Sequence, residues 1–313
     1  MILAHAVHKK NIKNVVELNS DCGNKMNKIN VNEFFDHETS TLTYLVWDEI
    51  TRDAVILDPL LDYDQASGVI SEKSLRVIYQ KIAELNLLPH LVIETHAHAD
   101  HISGAQSIKK RYPQIKVAIG KNISVVQKVF KKIFNLSDLD VYPEQFDLLL
   151  DENHNVTAGS LVIKTIFTPG HTPACCSILI GDALFTGDTL FMPDSGTGRC
   201  DFPEGSARAL YHSVHSKIYS LPDDTRIFVG HDYAPENRPL KFQSTIKEEK
   251  EKNIHIKTDT QENEYIEFRE KRDTTLKAPR LLLPSIQINI CAGNFSKAEN
   301  NGVVYLKAPI TFI

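Results

Sequence analysis

Four titratable side chains fall within the seven residues Thr95-His-Ala-His-Ala-Asp-His101, directly after a short apolar stretch. In extended backbone the side chains alternate between two faces, so His96, His98 and Asp100 are predicted to project to the same side. His101 is predicted to follow at the start of a helix. Burying such a group without a cation is costly. The segment therefore predicts a metal site at the end of a buried strand.

Three further candidate ligands, His171, Asp188 and His231, stand later in the chain, each directly after a glycine at the end of a β-prone run. Glycine permits a sharp turn and a close backbone approach where a strand delivers a side chain to a shared centre. One Gly-His pair after a strand is usually only a turn. Three such positions together with the first motif predict a single metal centre.

Strands and helices alternate in the sequence pattern. The β-prone runs are Thr41–Trp47, Ala54–Leu57, His90–Thr95, Val117–Ile119, Leu161–Phe167, Cys176–Ile180, Ala183–Phe185 and Arg226–Val229. Apolar residues have helical spacing at 75–85, 102–111, 123–133 and 210–218, and a charge-rich helical tail at 247–276 precedes a β-prone piece at Ser285–Ile290. The pattern predicts a layered α/β catalytic domain over residues 33–313, tail included, after an N-terminal extension of residues 1–32.

Composition excludes several classes of protein. The 35 basic and 40 acidic residues give a net charge of -5, so no strongly basic surface is predicted and nucleic acid is not expected as a partner. No apolar run reaches the ~18 residues of a membrane span, so no membrane partner is expected. Five cysteines without regular spacing, and a start unlike a secretory signal, predict a cytoplasmic protein with free thiols.

The ordered set of ligand types resembles that of the metallo-β-lactamase superfamily. The resemblance implies an αββα sandwich of four layers with the metal site at the edge of the two sheets, and it implies that Asp58 braces the metal-binding loop. A closer likeness to the persulfide dioxygenases, in particular the bacterial β-lactamase hydrolase-like branch, is carried by the segments Phe34–Asp36, Asp58–Asp64, Gly187–Asp194, Gly198–Pro203, Leu210–His215, Arg272–Pro279 and Leu281–Pro284.

This likeness implies one Fe(II) per chain held by His96, His171 and Asp188, which are then also the catalytic residues. Two histidines and one carboxylate on one side of an iron leave positions open for substrate and O2. The implied reaction is oxidation of glutathione persulfide by O2 to sulfite and glutathione. The other donors are implied to surround the iron and orient its ligands; they are His98, Asp100, His101, His231 and Asp58.

The same donors also suit a pair of Zn(II) ions, as in glyoxalase II, where a metal-bound hydroxide attacks a glutathione thioester. Ligand types alone do not separate one iron from two zincs, so the iron interpretation depends on the flanking segments. A third alternative is a metal-stabilised binding or sensing protein without turnover, although a closed structural site uses about four ligands and this chain offers more. The sequence leaves the oligomeric state open, with a homo-oligomer among the alternatives.

Candidate substrate contacts are cationic or aromatic, and they are Arg199, Tyr233, Arg269, Lys271 and Arg272. Guanidinium groups fit the carboxylates of glutathione, but a charged helix is usually a solvated face. For Arg199 the alternative is an ion pair with Asp194 or Asp201, and for Tyr233 it is an ordinary half-buried tyrosine. The adjacent Cys175 and Cys176 are predicted to be small buried hydrophobic residues rather than sulfur acceptors.

Overall fold

The computed structural model describes residues 28–136 and 145–310. The strands in this part of the chain are β1 (Asn30–Asp36), β2 (Thr41–Trp47), β3 (Asp53–Leu57), β4 (Leu60–Asp64), β5 (Val69–Ser71), β6 (Leu88–Glu94), β7 (Ile102–Ser103), β8 (Lys116–Gly120), β9 (Leu148–Leu150), β10 (Val156–Ala158), β11 (Leu161–Phe167), β12 (Cys176–Ile180), β13 (Ala183–Phe185), β14 (Arg226–Phe228) and β15 (Gln243–Thr245). Every β-prone run predicted from the sequence up to residue 229 coincides with one of these strands.

The α-helices in the same ranges are α1 (Lys73–Glu84), α2 (Ala105–Arg111), α3 (Ile123–Ile133), α4 (Ala207–His212), α5 (Ile246–Lys252), α6 (Glu262–Asp273) and α7 (Leu282–Asn289). A π-helical turn, Ser213–Ile218, continues α4, and a short 3-10 turn spans Pro235–Asn237. None of these helices combines the length and the apolar character needed to cross a lipid bilayer.

Two six-stranded sheets face each other. Sheet 1 has the order β1-β2-β3-β6-β8-β9, sheet 2 the order β10-β11-β12-β13-β14-β15, and a small third sheet the order β5-β4-β7. Along β2, Leu42, Tyr44 and Val46 point into the core between the two sheets, whereas Leu45 and Trp47 point to the other face of sheet 1. Because both faces of this strand are covered, all of its residues are buried and most of them are apolar.

Helices cover the outer face of each sheet. The residues Leu75, Ile78 and Ile82 of α1 follow helical spacing and are buried against sheet 1, in one apolar cluster with α2, α3 and α7. Leu210 of α4 and Tyr265 of α6 belong instead to the core that includes sheet 2. The order of layers is therefore helix, sheet, sheet, helix, which confirms the predicted αββα fold.

The prediction of a β-prone piece at Ser285–Ile290 was wrong, because this stretch lies in α7 and its C-cap. Ile286, Ile288 and Ile290 alternate as in a strand, yet all three are buried. The polar residues between them are buried as well, so α7 is enclosed on nearly all sides and lacks the exposed face that makes helical spacing visible. Pro284 is tolerated because it stands in the first turn, where backbone N–H groups have no partner within the helix.

Two other boundaries differ from the sequence pattern. The charged tail is not one helix, because α5 and α6 are separated by the non-helical residues 253–261. Strand β1 begins at Asn30 and pairs along its whole length with β2, so sheet 1 starts inside the predicted extension. The rest of that extension, residues 1–27, lies outside the described residues, and its separation from the catalytic domain stays a prediction.

Parallel strand pairs determine where the candidate ligands meet. Strands β3 and β6 run parallel, so the residues after them, Asp58 and Thr95, emerge at the same edge of sheet 1. Strands β13 and β14 are also parallel, and they deliver Asp188 and His231 to one edge of sheet 2. The two edges adjoin, since the amide of Cys176 donates to the carbonyl of Thr95 at 3.0 Å.

Candidate metal centre

His96, His171 and Asp188 converge although they come from three separate loops. One ligand atom from each lies within 4.8 Å of the others. Oδ2 of Asp188 is 3.5 Å from Nε2 of His171 and 3.9 Å from Nε2 of His96. The three residues are more than nine-tenths buried. The structure thus brings together the three residues that the sequence predicts as iron ligands.

Hydrogen bonds to the far side of each ring fix how the two histidines face this group. Nδ1 of His171 donates to the carbonyl oxygen of Arg199 at 2.7 Å. Nδ1 of His96 donates to the Thr95 hydroxyl at 3.1 Å, since that hydroxyl gives its own hydrogen to Asp58 at 2.8 Å. A hydrogen on Nδ1 leaves the lone pair of Nε2 free. In its neutral form, each ring therefore directs the lone pair of Nε2 toward Asp188.

Several buried polar atoms at this centre have no hydrogen-bond partner among the described residues. They include Nε2 of His96, Nε2 of His101 and Oδ1 of Asp188. Burial, together with the neighbouring His98 and His171, holds the pKa of His96 well below its ordinary value, so its imidazole is neutral. Buried polar atoms that lack partners are costly unless an ion satisfies them. The donor set therefore fits a metal cation.

The position before Asp188 requires glycine, because a larger residue would clash with neighbouring atoms. Gly187 has φ +49°, and a Cβ there would lie 2.5 Å from Oγ1 of Thr95, the hydroxyl that holds His96. A Cβ at Gly170 would collide with Leu210 in the same way, and one at Gly230 would approach the backbone of Gly187 within 3.0 Å. The three glycines singled out in the sequence thus permit the close approach of the loops.

Gly187→Ala is expected to displace Thr95 and break the hydrogen-bond chain from Asp58 to His96. We expect metal affinity to fall roughly 10- to 100-fold, as for other losses of ligand-orienting groups, and stability to fall by roughly 1–3 kcal/mol from backbone strain and the clash. Metal titration and denaturant unfolding measure the two effects. The matched control is Gly68→Ala, whose φ is +70° with no atom within 4 Å. Equal metal affinity in the two variants would contradict the role of Gly187.

His98 lies beside His96, with the two ring centroids 4.0 Å apart. Strand β6 ends at Glu94 and the following loop bends, so that Nε2 of His98 contacts Asp58 at 2.9 Å and Glu94 at 3.4 Å. Burial alone lowers the pKa of His98, but the carboxylates of Asp58 and Glu94 raise it more, to well above its ordinary value. Its other ring nitrogen belongs to a second group of donors with Asp100 and His101.

Asp100 and His231 stand beside Asp188. Oδ2 of Asp100 accepts from the Thr41 hydroxyl at 3.0 Å and contacts Nδ1 of His101 at 3.1 Å. Nε2 of His231 is 3.3 Å from Oδ1 of Asp188 and 3.5 Å from Oδ2 of Asp100. Asp188 therefore directs one carboxylate oxygen toward the first group of histidines and the other toward His231.

Asn289 is a supporting residue that the sequence analysis missed. Its side-chain amide donates to the carbonyl oxygens of His98 at 2.8 Å and His101 at 2.7 Å, and its oxygen accepts from the amide of Ser103 at 2.8 Å. A helix near the end of the chain thus closes the metal-binding loop. No local signal could have identified it, because its partners are 186 to 191 positions away in the chain.

The donors open into a cavity of about 510 Å³, which is within the usual range for small-molecule sites. Four of the five candidate substrate contacts, Arg199, Tyr233, Arg269 and Arg272, line it. Lys271 is exposed and is not among the described residues that line the cavity, so its predicted contact gains no support. The sequence analysis missed several other lining residues, namely Glu38, Phe191, His255 and Arg280.

The model of the metallo-beta-lactamase superfamily matches residues 38–231, which is more than half of the chain and includes every candidate metal ligand. The chain belongs to this superfamily. A solved structure with the same fold, ETHE1 from Myxococcus xanthus, superimposes with a TM-score of 0.68 and 32% sequence identity, and it covers 84% of this chain and 99% of its own.

Sequence relatives are similar to this chain over more residues than the superfamily model matches. The chain is 45% identical to Glyoxylase B2 of Dictyostelium discoideum (92% of this chain, 99% of the relative). It is 41% identical to a Beta-lactamase hydrolase-like protein of Xylella fastidiosa (90% and 64%) and 32% identical to the human mitochondrial Persulfide dioxygenase ETHE1 (64% and 67%). The predicted resemblance to persulfide dioxygenases and to β-lactamase hydrolase-like proteins is confirmed.

Arg199 and Arg269 line the cavity of this metallo-β-lactamase superfamily site, and both already form ion pairs with carboxylates of the protein. Arg199 forms a two-pronged ion pair with Asp201 and donates to the carbonyl of Lys277 at 2.7 Å. The ion-pair alternative for Arg199 is therefore present, and the partner is Asp201 rather than Asp194. Arg269 is 3% exposed and pairs with Asp273. These ion pairs and hydrogen bonds connect parts of the protein, so the guanidinium groups of both residues are not available to a substrate carboxylate.

Tyr233 is accessible at the superfamily site, whereas the consecutive residues Cys175 and Cys176 are not. Tyr233 is 57% exposed, lines the cavity and stacks on the His231 ring with centroids 5.5 Å apart, so its phenol ring is placed to contact a ligand. Cys175 and Cys176 are buried, and burial raises the pKa of Cys175 to about 12. A thiol with such a pKa stays protonated and unreactive, which favours the packing role predicted for this pair.

Proposed function

We propose that the protein is an iron-dependent persulfide dioxygenase that oxidises glutathione persulfide with O2 and releases sulfite and glutathione. The observation that carries the proposal is the compact group of two imidazoles and one carboxylate formed by His96, His171 and Asp188. Non-haem Fe(II) oxygenases use this donor set because it leaves coordination positions free. The similarity to the human relative named persulfide dioxygenase supports the same reaction.

One Fe(II) per chain would be held by Nε2 of His96, Nε2 of His171 and the Asp188 carboxylate. When bound, the ion supplies the redox chemistry by which O2 is reduced while the outer sulfur of the persulfide is oxidised. One water is consumed with each O2, so that the oxygens of sulfite and the hydrogen of the released thiol balance. The proposal includes the predicted cytoplasmic location, where the thiol substrate is kept reduced.

The chain's own part is to hold and orient the donors. Asp58 and Thr95 orient His96 from behind, and the Arg199 carbonyl orients His171. Such partners fix ring orientation and raise ligand basicity. In this proposal the remaining polar side chains support the site without binding the iron; they are His98, Asp100, His101 and His231. His98 contacts Asp58, Asp100 accepts from Thr41, His101 contacts Asp100, and His231 contacts Ser40, so one ring nitrogen or carboxylate oxygen of each is occupied.

A second candidate, a dinuclear zinc hydrolase of glutathione thioesters, is favoured by a specific observation. His98, Asp100 and His101 form a second group of donors, and His231 lies 3.3 Å from the free oxygen of Asp188. A carboxylate that faces two groups of ligands suits a bridge between two cations. The relative named Glyoxylase B2, at 45% identity, is consistent with this alternative.

Metal analysis combined with oxygen uptake separates the two functions. For the dioxygenase we expect about one iron per chain and rapid consumption of dissolved O2 after addition of glutathione persulfide. Two zinc ions per chain and cleavage of a glutathione thioester without O2 consumption would support the hydrolase and overturn the proposal. Protein reconstituted anaerobically with Fe(II) or with Zn(II) serves as the matched pair, because both samples share every residue.

A further inference from the structure

The mouth of the cavity carries two exposed guanidinium groups that form no hydrogen-bonded ion pair within the described residues. Arg272 is exposed, and its one hydrogen bond within the described residues goes to the Thr275 hydroxyl at 2.8 Å. Arg280 is 53% exposed, and its nearest carboxylate is that of Glu38, 3.8 Å away. By contrast, the two deeper arginines of the cavity are committed to Asp201 and Asp273.

The Glu38–Arg280 contact joins two distant parts of the chain across the cavity mouth. Glu38 is in the turn between β1 and β2 and is 84% exposed, whereas Arg280 follows α6, beyond residues 38–231 that the superfamily model matches. At 3.8 Å the two groups attract each other but are too far apart for a direct hydrogen bond. Exposed ion pairs of this kind contribute little to stability, so another carboxylate can replace Glu38.

We propose that Arg280 and Arg272 bind the carboxylates of the persulfide substrate, and that Glu38 occupies the place of one of these carboxylates on Arg280 until the substrate arrives. The inference rests on the proposed function for the identity of the substrate, which carries the two carboxylates of its glutathione moiety. Binding of the substrate replaces the loose Glu38–Arg280 ion pair with a closer one, because a free carboxylate can align with the guanidinium fork. A persulfide without carboxylates gains nothing from this exchange.

This arrangement makes Glu38 a competitor of the substrate. Among the described residues that line the cavity, the other carboxylates are Asp100 and Asp188, both at the metal centre. Glu38 is therefore the acidic group that sets how readily Arg280 accepts an anion. Its removal leaves two unneutralised guanidinium groups at the mouth and favours binding of a dianionic thiol.

The test is calorimetric binding of glutathione, and of its diethyl ester, to the metal-loaded protein. Arg280→Gln and Arg272→Gln are each expected to weaken glutathione binding roughly three- to tenfold. Glu38→Gln is expected to strengthen it roughly two- to fivefold, and to have no effect when Arg280 is already Gln, as a double-mutant cycle would show. The diester is expected to bind weakly and equally to all variants. Arg76→Gln, an exposed arginine on α1, serves as the control.

Three results would overturn the inference: a diester that binds as tightly as glutathione, an Arg280→Gln variant indistinguishable from Arg76→Gln, or a Glu38→Gln variant that does not bind more tightly. Undetectable binding of glutathione to the unmodified protein would overturn it as well. Because the readout is binding, it is independent of the reaction. If O2 uptake fails while this binding pattern holds, the dioxygenase proposal falls alone; if O2 uptake occurs without the pattern, only this inference falls.

Discussion

Replacing His171 or Asp188 with alanine is expected to remove bound metal and turnover together. Each residue supplies one of three converging donors, and two remaining donors cannot hold the ion at the same affinity. His231→Ala is expected to leave most of the metal in place and to lower activity roughly 10- to 100-fold, as for groups that orient ligands. Metal content by mass spectrometry and O2 uptake by electrode give the two readouts on the same samples.

The control for this series is His212→Ala, which removes a histidine that is 54% exposed on α4. We expect it to change neither metal content nor turnover. If all three site variants lose metal to the same extent, His231 is a ligand and the two-metal interpretation gains the advantage. If His171→Ala keeps its metal, the proposed ligand set is wrong.

Asp273→Asn is expected to destabilise the protein by roughly 3–5 kcal/mol, because it leaves the guanidinium of Arg269 buried without a countercharge. Asp273 accepts from Nε of Arg269 at 2.9 Å and from the amide of Cys200 at 2.7 Å, and Arg269 also donates to the carbonyl of Thr197 at 3.1 Å. These bonds tie α6 to the loop whose Arg199 carbonyl orients His171. We therefore expect weaker metal binding in addition to lower stability.

Denaturant unfolding of the metal-free protein measures the loss of stability in Asp273→Asn without a contribution from metal binding. The control is Asp223→Asn, which removes an ion pair with Lys250 in which Asp223 is 62% exposed. We expect it to cost less than about 1 kcal/mol. A cost for Asp273→Asn no greater than that of the control would show that the buried pair does not stabilise the fold.

Much of the fold could be predicted from the sequence, because strands such as β2, β3 and β12 are buried along nearly their whole length and are rich in apolar residues. The ligand-bearing loops could be predicted for a different reason. Gly170, Gly187 and Gly230 mark places where a side chain would collide with a neighbouring loop, and each glycine precedes a donor. A functional motif that consists of a few adjacent residues can be recognised in a sequence.

Features that depend on contacts between distant segments could not be predicted. Nε2 of His98 contacts Asp58, which is 40 positions earlier in the chain, and no local pattern indicates this contact. Helix α7 has the alternating isoleucines of a strand because it is buried on nearly all sides. Arg269 looked like a surface cation, but Asp273 neutralises it four residues later in the interior.

The hydrogen bonds of Asn289 to the loop of His98 and His101 have a consequence for how the protein is made. The loop is synthesised first, and the amide that secures two of its carbonyls leaves the ribosome 188 residues after His101. Until then these backbone groups have water or transient neighbours as partners. The finished coordination pocket therefore forms only after Asn289 has been synthesised, and a nascent chain that stops short of Asn289 lacks the bonds that hold the loop in the conformation that binds the ion.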